Sequence, residues 1–110
     1  MIRTTIQAGV CGFRTTVIAR SDDQQMVALS IESDCEKIRA VAAGLAAPVD
    51  AYQEIGAGFE GAVYREVFPR LKGCCSGCIV PSGIFKSVQV AGGVALPARA
   101  GIDIERVEKE

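Results

Sequence analysis

The chain has 110 residues, room for one domain spanning 1–110 and too few for two cores. Hydrophobic residues make up 49% and charged residues 23%, a globular balance rather than a disordered one. Twelve basic residues face thirteen acidic ones, and a net charge of −1 gives no ground for binding nucleic acid or a membrane surface. Five Cys and no His exclude Ser–His or Cys–His catalysis and any metal site built on imidazole. Chemistry here falls to thiolates, helped by carboxylates or main chain.

Ile2, Thr4, Ile6 and Ala8 alternate along one face, which predicts a first strand. Residues 8–12 read as a turn. Phe13 to Arg20 is β-branched and alternating, a second strand. Residues 21–25 make a polar turn. Met26 to Glu32 follows as a third strand, with Val27, Leu29 and Ile31 on one face. Short connections make this an antiparallel meander.

A helix comes next. Ser33 is a good N-cap and Glu36 completes a capping box. Ile38, Val41, Ala42 and Leu45 share one face at helical spacing, and Pro48 closes the segment. Residues 50–58 read as a loop or broken turn. Phe59, Val63, Val67 and Leu71, with Tyr64 and Phe68, predict a second helix ended near Pro69. The cysteine cluster lies in residues 73–77. Pro81 opens a third helix, with Ile84, Phe85, Val88 and Ala91 buried and Gly92-Gly93 as its stop. Residues 101–105 alternate and predict a last strand, followed by a charged tail. The expected fold is α+β: an antiparallel sheet, a three-stranded meander plus a C-terminal strand, covered on one face by about three helices.

The N-terminus has no basic stretch leading into an apolar core, so no signal peptide is read. The longest nearly apolar run, 41–49, has about half the length of a membrane span and holds Gly44 and Pro48. A cytoplasmic protein without a membrane anchor is expected. There thiols stay reduced. The odd cysteine count also favours metal binding or redox work over a disulfide framework.

The meander gives the cysteines a geometry. The turn with Cys11 and the turn with Asp22-Asp23 lie at opposite ends, so the third strand finishes at the Cys11 end, where Cys35 starts the first helix. If that helix runs away and the second returns, the chain arrives back just before Cys74, and the third helix starts beside Cys78. Cys35, as second residue of a capped helix, lies where free amides and the helix dipole favour a thiolate. Cys78 lies in a similar field. No acidic residue falls between Glu66 and Asp103, while Arg70, Lys72, Lys86 and Arg99 do; positive surroundings lower a thiol pKa.

Plainer readings exist for each motif. A lone Cys is most often a small buried hydrophobe, and Cys11 or Cys35 alone would be read so. Cys75-Ser76-Gly77-Cys78 is a CxxC of moderate specificity; Cys74 beside it and Cys11 and Cys35 nearby strengthen the site reading. Gly56-Ala57-Gly58-Phe59-Glu60-Gly61 matches GxGxxG but lacks a preceding strand and a later acidic partner, so it is read as a flexible loop. Lys86 reads as a surface lysine.

Cys-Gly after the first strand, Cys at the start of the helix after the hairpin, and Cys at the start of a late helix resemble the iron–sulfur cluster assembly scaffolds of the IscU and NifU N-terminal type. Cys11-Gly12 is similar to that family's Cys-Gly-Asp, with Phe13 in place of the aspartate. Cys35 is similar to its helix-start cysteine, followed by Glu36 where the family has Gly. Phe68-Pro69-Arg70-Leu71-Lys72 ahead of Cys74-Cys75-Ser76 is similar to its Leu-Pro-Pro-Val-Lys ahead of His-Cys-Ser, with no histidine here. On that match Cys75 is the third ligand; by helix position Cys78 competes. The resemblance covers roughly residues 1–92. Residues 78–97 are also similar to a group of small uncharacterised prokaryotic proteins, which implies no activity.

The resulting expectation is a carrier or scaffold and not an enzyme. Cys11, Cys35 and Cys75 or Cys78 hold an iron–sulfur cluster, or Zn²⁺ in its place, with Cys74 as spare ligand or sulfur acceptor. A sulfur donor or a cluster-acceptor protein is the partner such a role implies. An unpaired edge strand would be the place for a homodimer. The alternatives are a thiol redox protein using Cys75 and Cys78, and an interaction domain whose cysteines are core.

Overall fold

The computed structural model of the chain describes residues 1–108. Its elements are β1 (Ile2–Gln7), β2 (Arg14–Arg20), β3 (Met26–Ser33), α1 (Glu36–Gly44), β4 (Val49–Asp50), α2 (Ala51–Ala57), α3 (Ala62–Val67) and α4 (Val80–Ala91), with 3₁₀ turns at Gly58–Glu60 and Gly73–Gly77. The strands form one antiparallel sheet in the order β1-β2-β3-β4. The fold is α+β, as the alternation and helical spacings predict.

Register explains why only one sheet face is covered. Ile6 pairs with Thr15, Thr4 with Val17 and Ile2 with Ala19. Thr15 in turn faces Ser33, Val17 faces Ile31 and Ala19 faces Leu29. These residues share a face because side chains alternate along a strand. Ile6, Thr15, Val17, Ala19 and Val27 are buried on it. The opposite face carries Arg3, Thr5, Gln7, Arg14, Arg20 and Glu32 and meets solvent. Ile38, Val41 and Leu45 from α1, Val63 and Val67 from α3, and Val80, Ile84 and Val88 from α4 complete the core. Each fully buried Val or Ile contributes roughly 1.5–3 kcal/mol against its exposed state. Polar groups in this layer are paired. Thr15 and Ser33 hydroxyls meet at 2.8 Å, and Ser87 lies 2.6 Å from the Thr4 hydroxyl while donating to the Gly83 carbonyl at 2.7 Å.

Helix directions follow from fixed points. Val49 and Asp50 pair with Val27 and Met26, at the start of β3. Hence α1 has carried the chain from the end of β3 back to its beginning. Gly83, early in α4, lies against Ile6, and Gly92, at its end, lies against Ala51 and the Gln24 carbonyl. Thus α4 runs from the Cys11 end to the Ser21–Gln25 turn, antiparallel to β1.

Several boundaries differ from the sequence reading. Residues 101–105 form no strand; the fourth strand is Val49–Asp50. Residues 96–107 lie outside any helix or strand, and Ile102 and Ile104 are exposed. Alternation fitted them for a sheet, but after α4 ends at Gly92 the residues 101–105 pair with none of the four strands. Ser33 is the last residue of β3 rather than an N-cap. Cys35 takes that position without a side-chain cap, and the Ser33 hydroxyl accepts from the Cys35 N–H at 3.1 Å.

The stretch read as a loop after Pro48 holds α2. Asp50 caps it by accepting from the Tyr52 and Gln53 amides at 3.0 and 3.1 Å. The expected single helix over 59–71 is a 3₁₀ turn followed by α3. There Glu54, only 4% exposed, accepts from the Ala62 and Val63 amides at 2.9 Å each. A carboxylate from the preceding helix thus serves as the N-terminal cap of α3. The glycine run is therefore not a flexible loop: a Cβ on Gly61 would stand 3.0 Å from the Glu54 carboxylate. Phe59 and Phe68 also leave the predicted buried face. They are exposed; Phe59 meets Tyr64 edge to face and Phe68 meets it at a tilt, and Tyr64 meets Phe85 of α4 at 5.6 Å between centroids.

Gly83 tests the α4–β1 contact, because a Cβ there would sit 2.8 Å from Ile6 Cγ1, inside its packing shell. Ala is favoured over Gly in a helix by about 1 kcal/mol, whereas overpacking costs typically 1–3 kcal/mol. Gly83→Ala should therefore lose about 1 kcal/mol net in urea unfolding. Pairing it with Ile6→Val should recover part of the loss.

Candidate cysteine site

Three chain segments bring the five cysteines into play. Cys11 stands at the tip of the β1–β2 turn, which Ala8 closes by donating to Phe13 at 3.1 Å and Gly12 by donating to Gly9 at 2.9 Å. Gly9 and Gly12 have φ of 91° and 73°, values that glycine adopts without strain. Cys11 is exposed. Cys35 follows β3 and opens α1, its carbonyl accepting from the Arg39 amide at 2.9 Å. Cys74, Cys75 and Cys78 lie in and just after the 3₁₀ turn. Cys75 donates its N–H to Lys72, and Cys78 donates to Cys75 at 3.1 Å.

The register puts the first two segments at one end of the sheet. Gln7 pairs with Arg14 beside the turn, and the Asp34 amide donates to the Arg14 carbonyl. The third segment arrives there through Lys37, on the first turn of α1, whose ammonium donates to Cys75 Sγ at 3.3 Å. Cys35, Cys75 and Cys78 are half-buried against the core, while Cys74 is exposed.

Cys78 senses the other thiols. Burial pushes its thiol above the ordinary value. The Val80 N–H pulls it the other way, and charge at Cys35, Cys11 and Cys75 pushes it further up. This corrects the expectation that the start of the last helix lowers it: removal from water outweighs the amide field. The expected source of positive charge changes too. Arg70 is held by Glu66 at 3.2 Å, and among the described residues the cation that touches a cysteine is Lys37, outside the acid-free window. Its signal in the sequence was weak: a lysine two residues after Cys35, with nothing local to tie it to a segment far along the chain.

All five cysteines are free thiols. Among the described residues, no three Cys, Asp or Glu side chains form a ready-made metal-binding group. Cys11, Cys35, Cys75 and Cys78 thus share one end of the fold without closing into a ligand cage. Among the described residues no helix is long and apolar enough to cross a membrane.

Residues 2–104 match a family of unknown function, DUF6951. The chain belongs to the DUF6951 family. Comparison with curated proteins and with solved structures gives no match. The match takes in the sheet, every helix and all five cysteines of the DUF6951 chain.

The raised Cys78 thiol has a readable consequence. In the DUF6951 chain at neutral pH, Cys78 should be alkylated by iodoacetamide more slowly than the cysteine of an unstructured Gly-Cys-Ile-Val peptide. Its rate should climb at higher pH than the peptide's, because only the thiolate reacts. Peptide-resolved mass spectrometry reads both; matching profiles would remove the burial argument.

Proposed function

We propose that this chain binds an iron–sulfur cluster, or Zn²⁺, through thiolates of Cys11, Cys35 and Cys75 or Cys78, as a carrier or scaffold rather than an enzyme. The observation that carries this reading is the placement of the thiols. The strand register puts the Cys11 turn and Cys35 at one end of the sheet, and the contact of Lys37 with Cys75 Sγ brings the Cys74–Cys78 turn to the same end.

The donor set suits the ligand. Thiolates are soft donors that select Zn²⁺ and iron–sulfur clusters over hard cations. Three of the four donors are half-buried at the start of helices or in the turn before one, and Cys11 stands on an exposed hairpin tip. Without a preformed cage, binding has to draw the hairpin and the turn together. Four thiolates would close a structural zinc site, and three would leave an open position suited to transient loading and release. Lys37 supplies a positive charge beside Cys75, which offsets part of the negative charge of a multi-thiolate centre.

The resemblance to IscU- and NifU-type scaffolds supports the same reading. A Cys-Gly hairpin turn, a cysteine opening the helix after β3 and cysteines ahead of the last helix recur here in that order. The departures remain: no histidine, Phe13 for the aspartate and Glu36 for the glycine. On this reading the partners are a sulfur-donor protein and a cluster-accepting protein, and Cys74 is a spare ligand or sulfur acceptor. A thiol redox role for Cys75 and Cys78 draws less support, since the thiol of Cys78 is raised rather than lowered.

Anaerobic titration with Co²⁺ and Zn²⁺, and reconstitution with iron and sulfide, test the proposal. Thiolate-to-metal charge-transfer absorption is expected at one metal or one cluster per chain. Cys11→Ser and Cys35→Ser should each weaken binding by roughly tenfold or more, given the cost of losing part of a metal centre. Cys74→Ser should change it little. A chain that stays colourless with Co²⁺ and with iron and sulfide defeats the reading.

Proton release gives a second check. A thiol held above its ordinary pKa must lose its proton to ligate, so Zn²⁺ affinity should rise as pH increases through neutrality. The rise should be shallower in Cys78→Ser if Cys78 is the third ligand, and unchanged if Cys75 is.

A further inference from the structure

Among the described residues, the sheet ends on one side at β1, which pairs only with β2. About three of its six residues therefore turn N–H and C=O groups outward without a strand partner. Among the described residues, the chain also carries a segment with strand chemistry and no strand partner. Ile102 and Ile104 alternate with Asp103 and Glu105, and Ile104 is 90% exposed. Residues 96–108 are exposed throughout. The family match runs to residue 104 and so includes both isoleucines.

We propose that residues 101–105 add as a fifth strand to the β1 edge of a second copy of this chain. The two surfaces fit in three respects. The β1 edge offers unpaired backbone, which an extended segment satisfies by main-chain hydrogen bonds. On the helix-covered side, Ile2, Thr4 and Ile6 of β1 would flank Ile102 and Ile104, giving those side chains cover that they lack in one chain. On the open side, Asp103 and Glu105 would lie beside Arg3, with Arg14 and Arg20 on the neighbouring strand. A slip of one residue would put the acids over the apolar side, so the alternation also restricts the register. The seven residues 94–100 span up to about 23 Å when extended, a tether long enough to reach a neighbour. Reciprocal exchange of the two tails closes the pair by two-fold symmetry.

Sedimentation of the full-length chain under reducing conditions, which prevent cross-linking through the exposed Cys11 and Cys74, tests this over a hundredfold range of concentration. A monomer–dimer equilibrium is expected. Ile102→Asp with Ile104→Asp should shift its midpoint at least tenfold toward monomer. Arg3→Glu should weaken the dimer, and Asp103→Lys combined with Arg3→Glu should restore it. Exchange of the outward-facing β1 amides should slow as the dimer forms. A chain that is monomeric throughout overturns the proposal, as does a dimer indifferent to the tail substitutions, which would place the interface elsewhere. Protection of the outward-facing β1 amides in a monomer overturns it also, since the tail would then pair within its own chain.

Discussion

Ile6, Val17, Ala19 and Val27 all project to one side of the meander, and the helices have only that side to cover. The other side is occupied by arginines, threonines and glutamate, which gain nothing from burial. This single apolar face governs the path of the rest of the chain. A helix leaving the end of β3 must lie back across the same face. α1 does so, and β4 fixes its far end by pairing with the start of β3. The chain must then return before α4 can lie down along β1. Two returns across one face make the segment before α4 end where β1 turns into β2. The meeting of Cys11, Cys35 and the Cys74–Cys78 turn is therefore a result of core burial. No bond among the cysteines is needed to produce it.

That origin explains which features could be read from the sequence. Alternation over β1, β2 and β3 is strong because one face is buried and the other wet, so both strands and register faces were legible. The apolar stripes of α1 and α4 were legible for the same reason. Local signals failed where a distant contact decides the outcome. Val49 and Asp50 form a strand of two residues only because Val27 and Met26 lie beside them. Nothing local to residues 51–57 outweighed the glycines of 56–61, yet Asp50 caps one end of α2 and Glu54 reaches forward to cap α3. Ser33 had the chemistry of an N-cap, but its hydroxyl is shared between Thr15 across the sheet and the Cys35 amide. Strand pairing thus held it in β3 and moved the helix start by two residues.

The same distinction applies at the cysteines. Their shared location followed from topology and was legible. Their electrostatics were not, because burial depends on what the helices press against. Cys78 packs beside the core, and removal from water sets its thiol in the opposite direction from its helix position. Lys37 faces Cys75 because α1 and the 3₁₀ turn meet in space. The Lys37 ammonium thus stands beside the sulfur of Cys75, while burial favours the protonated form of Cys78 three residues on.

α4 also separates the two surfaces that this fold leaves unsatisfied. It begins beside Cys78 and ends beside Gln24, at the opposite end of the sheet. The exposed tail therefore departs from the end remote from the thiols. Pairing of that tail with a second copy would occupy the β1 edge and leave the Cys11 tip and the Cys74–Cys78 turn open to solvent. A thiol site that exchanges its cargo needs such an opening, because ligand transfer between proteins requires the donor sulfurs to be reached. Association through the sheet edge and chemistry at the thiol end are thus compatible in one assembly. The buried contact of Gly83 with Ile6 keeps the two apart, because it fixes α4 along the strand whose outer edge remains free.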